Sequence, residues 1–156
     1  MAEPFTVRRL ARGDLALFRA MNALFAEVFE DAESYAGAPP DEAYVDALLA
    51  KEHVIPLVAL EGEAVIGALV GYELEKCEQA RSEIYIYDLA VDARHRRKGV
   101  ATALIDRVRS IARERGAWVV YVQADYGDEP AIALYTKFGA REDVMHFDID
   151  PGEQRS

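Results

Sequence analysis

The fold is decided by two neighbouring stretches, EIYIYDLAV at residues 83–91 and RRKGVAT at residues 96–102. The first is rich in β-branched and aromatic residues, which favours a strand. In the second, Gly99 precedes apolar residues at helical spacing, so a helix begins there. A helix N-terminus presents unpaired N–H groups and partial positive charge, and glycine lets a bulky anion approach the backbone. The pair therefore predicts a binding site for phosphate or pyrophosphate.

Two other interpretations of the basic stretch stay open. It is also typical of the basic first turn of a solvated helix, and of a nucleic-acid contact patch. The Gly-x-x-x-x-Gly-Lys-Ser/Thr pattern of P-loops and the dinucleotide pattern Gly-x-Gly-x-x-Gly are both missing. An anion site here would therefore belong to a different class of protein.

Working outward, hydrophobic periodicity and turn residues predict a mixed α+β chain that forms a single domain over residues 1–156. Strands are predicted at residues 5–10, 54–60, 64–74, 83–91, 117–124 and 144–149. Helices are predicted at residues 14–30, 41–49, 100–115 and 128–138, with Asp41 and Asp128 as N-caps and Gly116 as a stop. Residues 34–40 read as a loop, because they contain Gly37, Pro39 and Pro40.

The charge distribution favours cationic partners. The chain carries 28 acidic and 18 basic residues, a net charge of −10, which argues against a nucleic-acid partner. Residues 24–52 and 117–156 are acidic, whereas residues 94–115 are basic. An anionic cofactor and a cationic substrate would explain this pattern, and so would a solvated surface of mixed charge.

Composition also limits the compartment and the cofactors. Cys77 is the only cysteine, which excludes an internal disulfide. No run approaches the roughly 20 apolar residues of a membrane helix, and residues 1–12 lack the apolar core of a signal peptide. His53, His95 and His146 are not at metal-ligand spacing. We expect a cytoplasmic protein with no metal and no membrane partner.

Two motifs resemble those of the GNAT superfamily, the acetyl-CoA-dependent N-acetyltransferases. Arg96-x-x-Gly99-x-Ala101 matches the signature Gln/Arg-x-x-Gly-x-Gly/Ala and follows a strand, as it does in the family. The run AIALYTKFGA at residues 131–140 resembles the family's last helix. The resemblance implies the GNAT fold, a mixed central β-sheet flanked by helices, with a bulged strand at the acetyl-CoA site.

Longer runs resemble a particular group in that superfamily, the aminoglycoside 3-N-acetyltransferases. They lie at residues 24–31, 83–91, 121–130 and 141–149. This resemblance implies acetyl transfer to the 3-amino group of a gentamicin-like aminoglycoside, which would give antibiotic resistance. Other acceptors stay open, namely a polyamine, an amino acid or a protein amine, and so does a non-catalytic regulatory module that binds acetyl-CoA.

The resemblance also implies where acetyl-CoA binds. The pyrophosphate would rest on the signature loop, the pantetheine arm would follow the end of the bulged strand, and the last helix would add contacts at its start. The implied residues are Leu89, Ala90, Val91, Arg96, Arg97, Lys98, Gly99, Val100, Ala101, Thr102, Asp128 and Ala131. The apolar residues of the strand change from even to odd positions between Ile86 and Leu89, which predicts a one-residue bulge near Tyr87 and Asp88. A backbone N–H freed near Leu89 could then polarise the thioester carbonyl.

Tyr135 occupies the family's general-acid position, from which a phenol protonates the CoA thiolate. Its spacing also suits a core tyrosine. Asp88 is the first candidate for the base, with Asp125 and Glu83 as alternatives. Asp88 could equally bind the ammonium form of the acceptor or cap a turn.

The acceptor cleft of the family implies carboxylates and hydrogen-bonding groups that suit a cationic sugar. The corresponding residues are Glu33, Tyr35, Asp125, Tyr126, Asp143 and Asp148. The resemblance also implies a homodimer as one assembly, since relatives often form one.

Overall fold

Among the described residues, five strands form one sheet in the order β1-β2-β3-β4-β5. They are β1 (Thr6–Arg9), β2 (Val54–Glu61), β3 (Ala64–Glu75), β4 (Ser82–Val91) and β5 (Ala117–Val122). Neighbours from β1 to β4 are antiparallel, and β5 runs parallel to β4. The computed structural model describes residues 4–152. The chain falls into two units that divide between Gln123 and Ala124, and the sheet lies in the first.

Within residues 4–152, four α-helices accompany the sheet in the first unit and one lies in the second. They are α1 (Leu15–Val28), α2 (Ala32–Ala36), α3 (Glu42–Leu49), α4 (Val100–Arg115) and, in the second unit, α5 (Glu129–Thr136). The predicted caps are confirmed: Asp41 accepts from the N–H of Tyr44, Asp128 accepts from that of Ala131, and Gly116 ends α4 at φ 73°.

Helices cover both faces of the sheet. On one face Phe18, Met21 and Phe25 of α1 pack with Val70 and other buried residues of the sheet. On the other face α4 lies against β3 so closely that a Cβ at Gly67 would stand 2.5 Å from Val100 Cγ1. The mixed α+β architecture predicted from the sequence is confirmed.

The bulge in β4 is also confirmed. Gly71 pairs with Ile86 and Val70 with Asp88, so Tyr87 has no partner on β3. The apolar residues of β4 at 84, 86, 89 and 91 therefore all pair with odd-numbered residues of β3. Cross-strand partners share a face, so one extra residue keeps the four on the same side of the sheet.

β5 ends just before the bulge of β4, because its last residue, Val122, pairs with Ile86. The pairing of the two strands runs from Ser82 with Ala117 to Ile86 with Val122 and ends there, whereas β4 continues to Val91. The carboxyl half of β4 is thus paired with β3 alone among the described strands, which leaves its other edge available to an extended ligand.

The predicted strand at residues 144–149 is wrong, because this segment has no regular secondary structure. Its large apolar side chains are exposed, Ile149 most of all. The polar side chains instead bond locally, since Arg141 pairs with Asp143 and His146 with Asp148. Residues two apart lie on one side of an extended chain, so these pairs form without a partner strand.

The predicted loop at residues 34–40 is wrong in its first part. Residues 32–36 form α2, which Asp31 caps by accepting from the N–H of Ser34. The preceding helix ends at Val28, and Glu30 adopts a positive φ of 52°. The sharp reversal lets α2 fold back onto α1, where Tyr35 contacts Phe25.

Candidate active site

The edge of β4 beyond the bulge carries backbone groups that point away from β3. The N–H of Asp92 donates to the carbonyl of Ile66 at 2.9 Å. Antiparallel pairs alternate between bonded and non-bonded positions, so Ala90 also bonds to β3, whereas the N–H groups of Leu89 and Val91 point away from it, past the end of β5. A free N–H at Leu89 that polarises the thioester carbonyl stays a prediction.

A short turn, held by side-chain contacts of Asp92 and His95, connects β4 to α4. The side chain of Asp92 accepts from the N–H of Arg94, and this hydrogen bond holds the pKa of Asp92 below its usual value. His95 lies 3.4 Å from Glu61 through Nε2. These contacts anchor the turn to the β2–β3 hairpin and so fix the start of the signature loop.

Two residues of the loop have left-handed backbone, Arg97 at φ 63° and Gly99 at φ 80°. Val100, the first residue of α4, is buried and sits against Gly67. A Cβ at Gly99 would meet nothing within 4 Å. Backbone conformation rather than crowding therefore favours glycine there, and the space in front of the helix N-terminus is open.

The chemistry of this loop suits an anion. Arg96, Arg97 and Lys98 are exposed, and the N–H groups of residues 100–102 occupy the first turn of α4, where an α-helix has no internal acceptors for them. Full charges, free N–H groups and the helix dipole coincide at one point.

Asp88 follows the bulged residue and bonds to the predicted cleft residue Tyr35. The Tyr35 hydroxyl donates to Asp88 Oδ1 at 2.6 Å, and its ring lies against Phe25 and Phe29. Burial raises the pKa of Asp88, and the hydrogen bond from Tyr35 opposes that rise. Burial and this bond also raise the pKa of Tyr35, so its phenol stays protonated and acts as the donor.

A cavity of about 100 Å³ opens beside Asp88. Its polar lining residues are Asn22, Tyr72 and Asp88, and its remaining walls are apolar side chains of α1, α3, β2 and β3. Pockets for drug-sized ligands are several-fold larger, at about 300 Å³ or more. The cavity is therefore too small for a ligand of several sugar rings.

Sequence reasoning missed a row of aromatic side chains next to Asp88. Tyr72, Tyr87, Tyr85 and Tyr121, called the tyrosine row below, follow one another across β3, β4 and β5 with ring centroids 6.0, 5.6 and 4.7 Å apart. Tyr85 also donates to Gln123 Oε1 at 2.9 Å. Residue alternation predicts on which face of its strand each tyrosine lies, but only the pairing register shows that the four rings are neighbours.

The second unit contains the predicted general acid. Tyr135 lies on α5 and is partly buried. Burial raises its pKa, and the negative charge of Asp128 raises it further. The group is a protonated phenol at neutral pH, as an acid catalyst requires.

Three of the predicted acceptor residues take part in local contacts of the second unit. Arg141 donates to Asp143 at 2.8 Å, and its guanidinium lies 5.5 Å from the centre of the Tyr126 ring. Asp148 lies 2.8 Å from His146 Nε2. The structure thus brings Tyr126 and Asp143 to one cation, with Asp148 in a separate pair.

The remaining predicted residues are placed as follows. Glu33 is exposed on α2, and Asp125 is exposed before α5. Glu83, an alternative base, forms an ion pair with Lys76 at 2.7 Å. The Glu83 carboxylate is occupied by the ammonium group of Lys76, whereas Asp88 lines a cavity, which favours Asp88 over Glu83.

The described residues, 4–152, offer neither a metal-binding cluster nor a membrane-spanning helix. No group of three or more His, Cys, Asp or Glu side chains in this range is arranged to hold a metal ion. No helix in the same range is long and apolar enough to cross a membrane.

Comparison with solved structures gives two similar proteins at full length. An aminoglycoside acetyltransferase, HMB0005, from an uncultured soil metagenomic sample is 49% identical, with a TM-score of 0.93 over 97% of this chain and 100% of that one. Another, meta-AAC0020, also from an uncultured soil metagenomic sample and solved in complex with sisomicin, is 33% identical. Its TM-score is 0.87 over 95% of this chain and 97% of that one.

Curated relatives are more distant and longer. N-acetyltransferase 8B of Rattus norvegicus and N-acetyltransferase 8 of Homo sapiens are each 29% identical over 90 residues, or 58% of this chain. The chain spans about 40% of the length of these relatives. The profile of the Acetyltransferase (GNAT) family matches residues 18–140. With most of its length matched by that profile, and with the bulged strand and signature loop in place, the chain belongs to the GNAT acetyltransferase family.

Proposed function

We propose that this protein transfers the acetyl group of acetyl-CoA to the 3-amino group of a gentamicin-like aminoglycoside and so confers resistance. The observation that carries the proposal is the full-length similarity, at 49% identity, to an aminoglycoside acetyltransferase. The relative solved with sisomicin supports it. So does the partly buried Asp88 carboxylate, which lies beside aromatic rings where a cation is attracted.

The residues at the end of β4 and at the start of α4 fit acetyl-CoA. The N–H groups of residues 97–102 would bind the pyrophosphate, with Arg96 and Lys98 beside them, and the open space in front of Gly99 leaves room for it. Residues 89–91 would pair with the pantetheine amides as a strand does. Asp128 and Ala131, at the start of α5, are the remaining residues that we propose to bind acetyl-CoA. The bound donor supplies an activated thioester.

Each catalytic residue has a role in a direct transfer. Asp88 accepts the proton of the acceptor amine, whose nitrogen then forms the C–N bond as the C–S bond breaks. The Leu89 N–H stabilises the negative charge on the carbonyl oxygen. Tyr135 donates its phenolic proton to the leaving sulfur. An ammonium that becomes an amide loses two protons. Asp88 takes the first and later releases it to solvent, and the second restores the Tyr135 phenol, so the transfer yields the amide, the CoA thiol and one proton.

Recognition of the acceptor is electrostatic. Glu33, Asp125, Tyr126, Asp143 and Asp148 would attract and hydrogen-bond the ammonium and hydroxyl groups of the drug, in keeping with the net charge of −10. Acetylation turns one ammonium into a neutral amide, which weakens the attraction of the drug to RNA phosphates.

Product analysis tests the site and the base together. Gentamicin and acetyl-CoA are incubated with wild type, Asp88→Asn and Glu83→Gln, and the product is located by NMR. We expect acetylation at the 3-amino nitrogen, lost in Asp88→Asn and retained in Glu83→Gln. Acetylation of another nitrogen would refute the regiochemistry, and a loss in Glu83→Gln alone would move the base to that residue.

A further inference from the structure

We infer that the tyrosine row is a binding subsite for the sugar rings and ammonium groups of the acceptor that lie beyond the reacting amine. The inference rests on the proposed function for the identity of the acceptor. It assigns a position to the part of the substrate that the cavity beside Asp88 is too small to hold.

The tyrosine row is continuous because strand register aligns it. Tyr72 lies opposite Tyr85, and Tyr85 lies opposite Tyr121, so their side chains project from one face. The bulge adds Tyr87, whose ring meets both Tyr72 and Tyr85 edge-on. Tyr87 is 62% exposed, so its ring is open to a ligand next to the partly buried Asp88 carboxylate.

Charge at the two ends of the tyrosine row is unequal. The carboxylate of Asp88 raises the pKa of Tyr72 and Tyr85, after the larger effect of burial. At the far end, Glu83 does the same to Tyr121, while Lys76 opposes it. Lys76 is bonded to Glu83, so the carboxylate at this end is paired with a cation, whereas that of Asp88 accepts from a neutral phenol.

This arrangement recognises a specific chemistry. Aromatic faces attract ammonium groups and pack against the apolar C–H face of a sugar ring. The stacked pair Tyr85–Tyr121 offers ring surface with little net charge, whereas the Asp88 end offers charge. We therefore expect an occupant of several linked rings. Its reacting amine lies at the Asp88 end of the tyrosine row. Tyr72 borders Asp88 and Tyr121 stands at the other end of the row, so we expect a further ring of the acceptor to occupy Tyr121.

Ring-length dependence provides the test. The dissociation constants of gentamicin and of 2-deoxystreptamine, a single-ring aminocyclitol, are measured by calorimetry on the CoA-bound protein. Tyr121→Leu removes the ring at the far end, and Tyr121→Phe keeps it. The matched control is Trp118→Leu, which removes an exposed β5 ring that packs on the Arg81 guanidinium instead.

We expect Tyr121→Leu to weaken gentamicin binding about tenfold and to leave 2-deoxystreptamine within about twofold. Tyr121→Phe and Trp118→Leu should match wild type for both ligands. Equal effects on the two ligands, or no effect on gentamicin, would overturn the subsite. Wild type that binds gentamicin in this pattern but releases no thiol with it would refute the proposed function and leave the subsite standing.

Discussion

The hydroxyl of Tyr35 donates a 2.6 Å hydrogen bond to Asp88 Oδ1 and joins α2 to the bulge of β4. Stacking of Phe25 on Phe29, with the Tyr35 ring against both, holds the phenol in place. Tyr35 thus contacts the proposed base, and its place in a wall of the acceptor cleft stays a prediction. A fixed bond to Oδ1 leaves the other oxygen of Asp88 for the acceptor.

Tyr35→Phe should make catalysis more sensitive to acid. Burial raises the pKa of Asp88 and the Tyr35 hydrogen bond lowers it, so loss of the hydroxyl raises the pKa further. A base works when deprotonated, and activity falls as the pH drops through its pKa. The acid limb of the kcat/KM profile should therefore move to higher pH, with about tenfold less activity at its acid end. Tyr44→Phe, on an exposed residue of α3, is the control, and an unmoved limb would remove Tyr35 from this role.

The bulge was predictable because the apolar residues of β4 change parity between Ile86 and Leu89. Helix caps were predictable for a similar reason, since Asp41 and Gly116 act within one turn of the chain. The Tyr35–Asp88 hydrogen bond was not predictable, because it depends on α2. The glycine and prolines at residues 37–40 predict a loop where α2 ends. Local patterns thus determine elements, whereas contacts between distant elements need the packed structure.

Tyr135→Phe should lower kcat by about a hundredfold or more, the usual contribution of a general acid. The ring and its packing remain, so the dissociation constant of acetyl-CoA should stay within about twofold. Burial and Asp128 raise the pKa of Tyr135, so the wild-type acid stays protonated and should keep working well above neutral pH. Stopped-flow turnover and calorimetry separate the two readouts, and an unchanged kcat would exclude Tyr135 as the acid.

Gly99→Val should weaken acetyl-CoA binding by about tenfold, equivalent to one lost hydrogen bond to an anion. Gly62→Val is a matched control, because Gly62 also has positive φ, at 62°, and open space for a Cβ. A β-branched residue strains both positions alike, so both variants should lose similar stability in thermal melts. Affinity should fall in Gly99→Val alone. An equal affinity loss in both variants would trace the effect to stability rather than to the loop.

Arg115→Ala should destabilise the fold without touching the site. Glu73 is only 7% exposed, and its carboxylate accepts from Arg115 Nε and from the Ser82 hydroxyl. Removal of the arginine leaves a buried charge underbonded, at a cost on the order of 3 kcal/mol. Urea unfolding should detect this loss, while Arg113→Ala, an exposed neighbour on α4, should change stability by less than about 0.5 kcal/mol. Equal stability of the two variants would contradict a structural role for the ion pair between Arg115 and the buried Glu73.

The tyrosine row and the misjudged strand at residues 144–149 have a common physical origin. Alternation indicates which residues share a face of a strand, but not which strand lies beside it. Tyr85 meets Tyr121 only because β5 is parallel to β4 and in that register. In the C-terminal segment, alternating apolar residues predict a strand, but side-chain pairs such as Arg141–Asp143 form there instead.

Thiol release from acetyl-CoA, measured with gentamicin, with spermidine and without acceptor, tests the central claim most directly. A ringed, polyaminated acceptor at Asp88 predicts rapid release with gentamicin, a slow background without acceptor, and little gain with spermidine. Release with spermidine but not with gentamicin would keep the acetyltransferase chemistry and contradict the aminoglycoside assignment. Release with neither would contradict both acceptor classes and favour a protein that binds acetyl-CoA without using these amines.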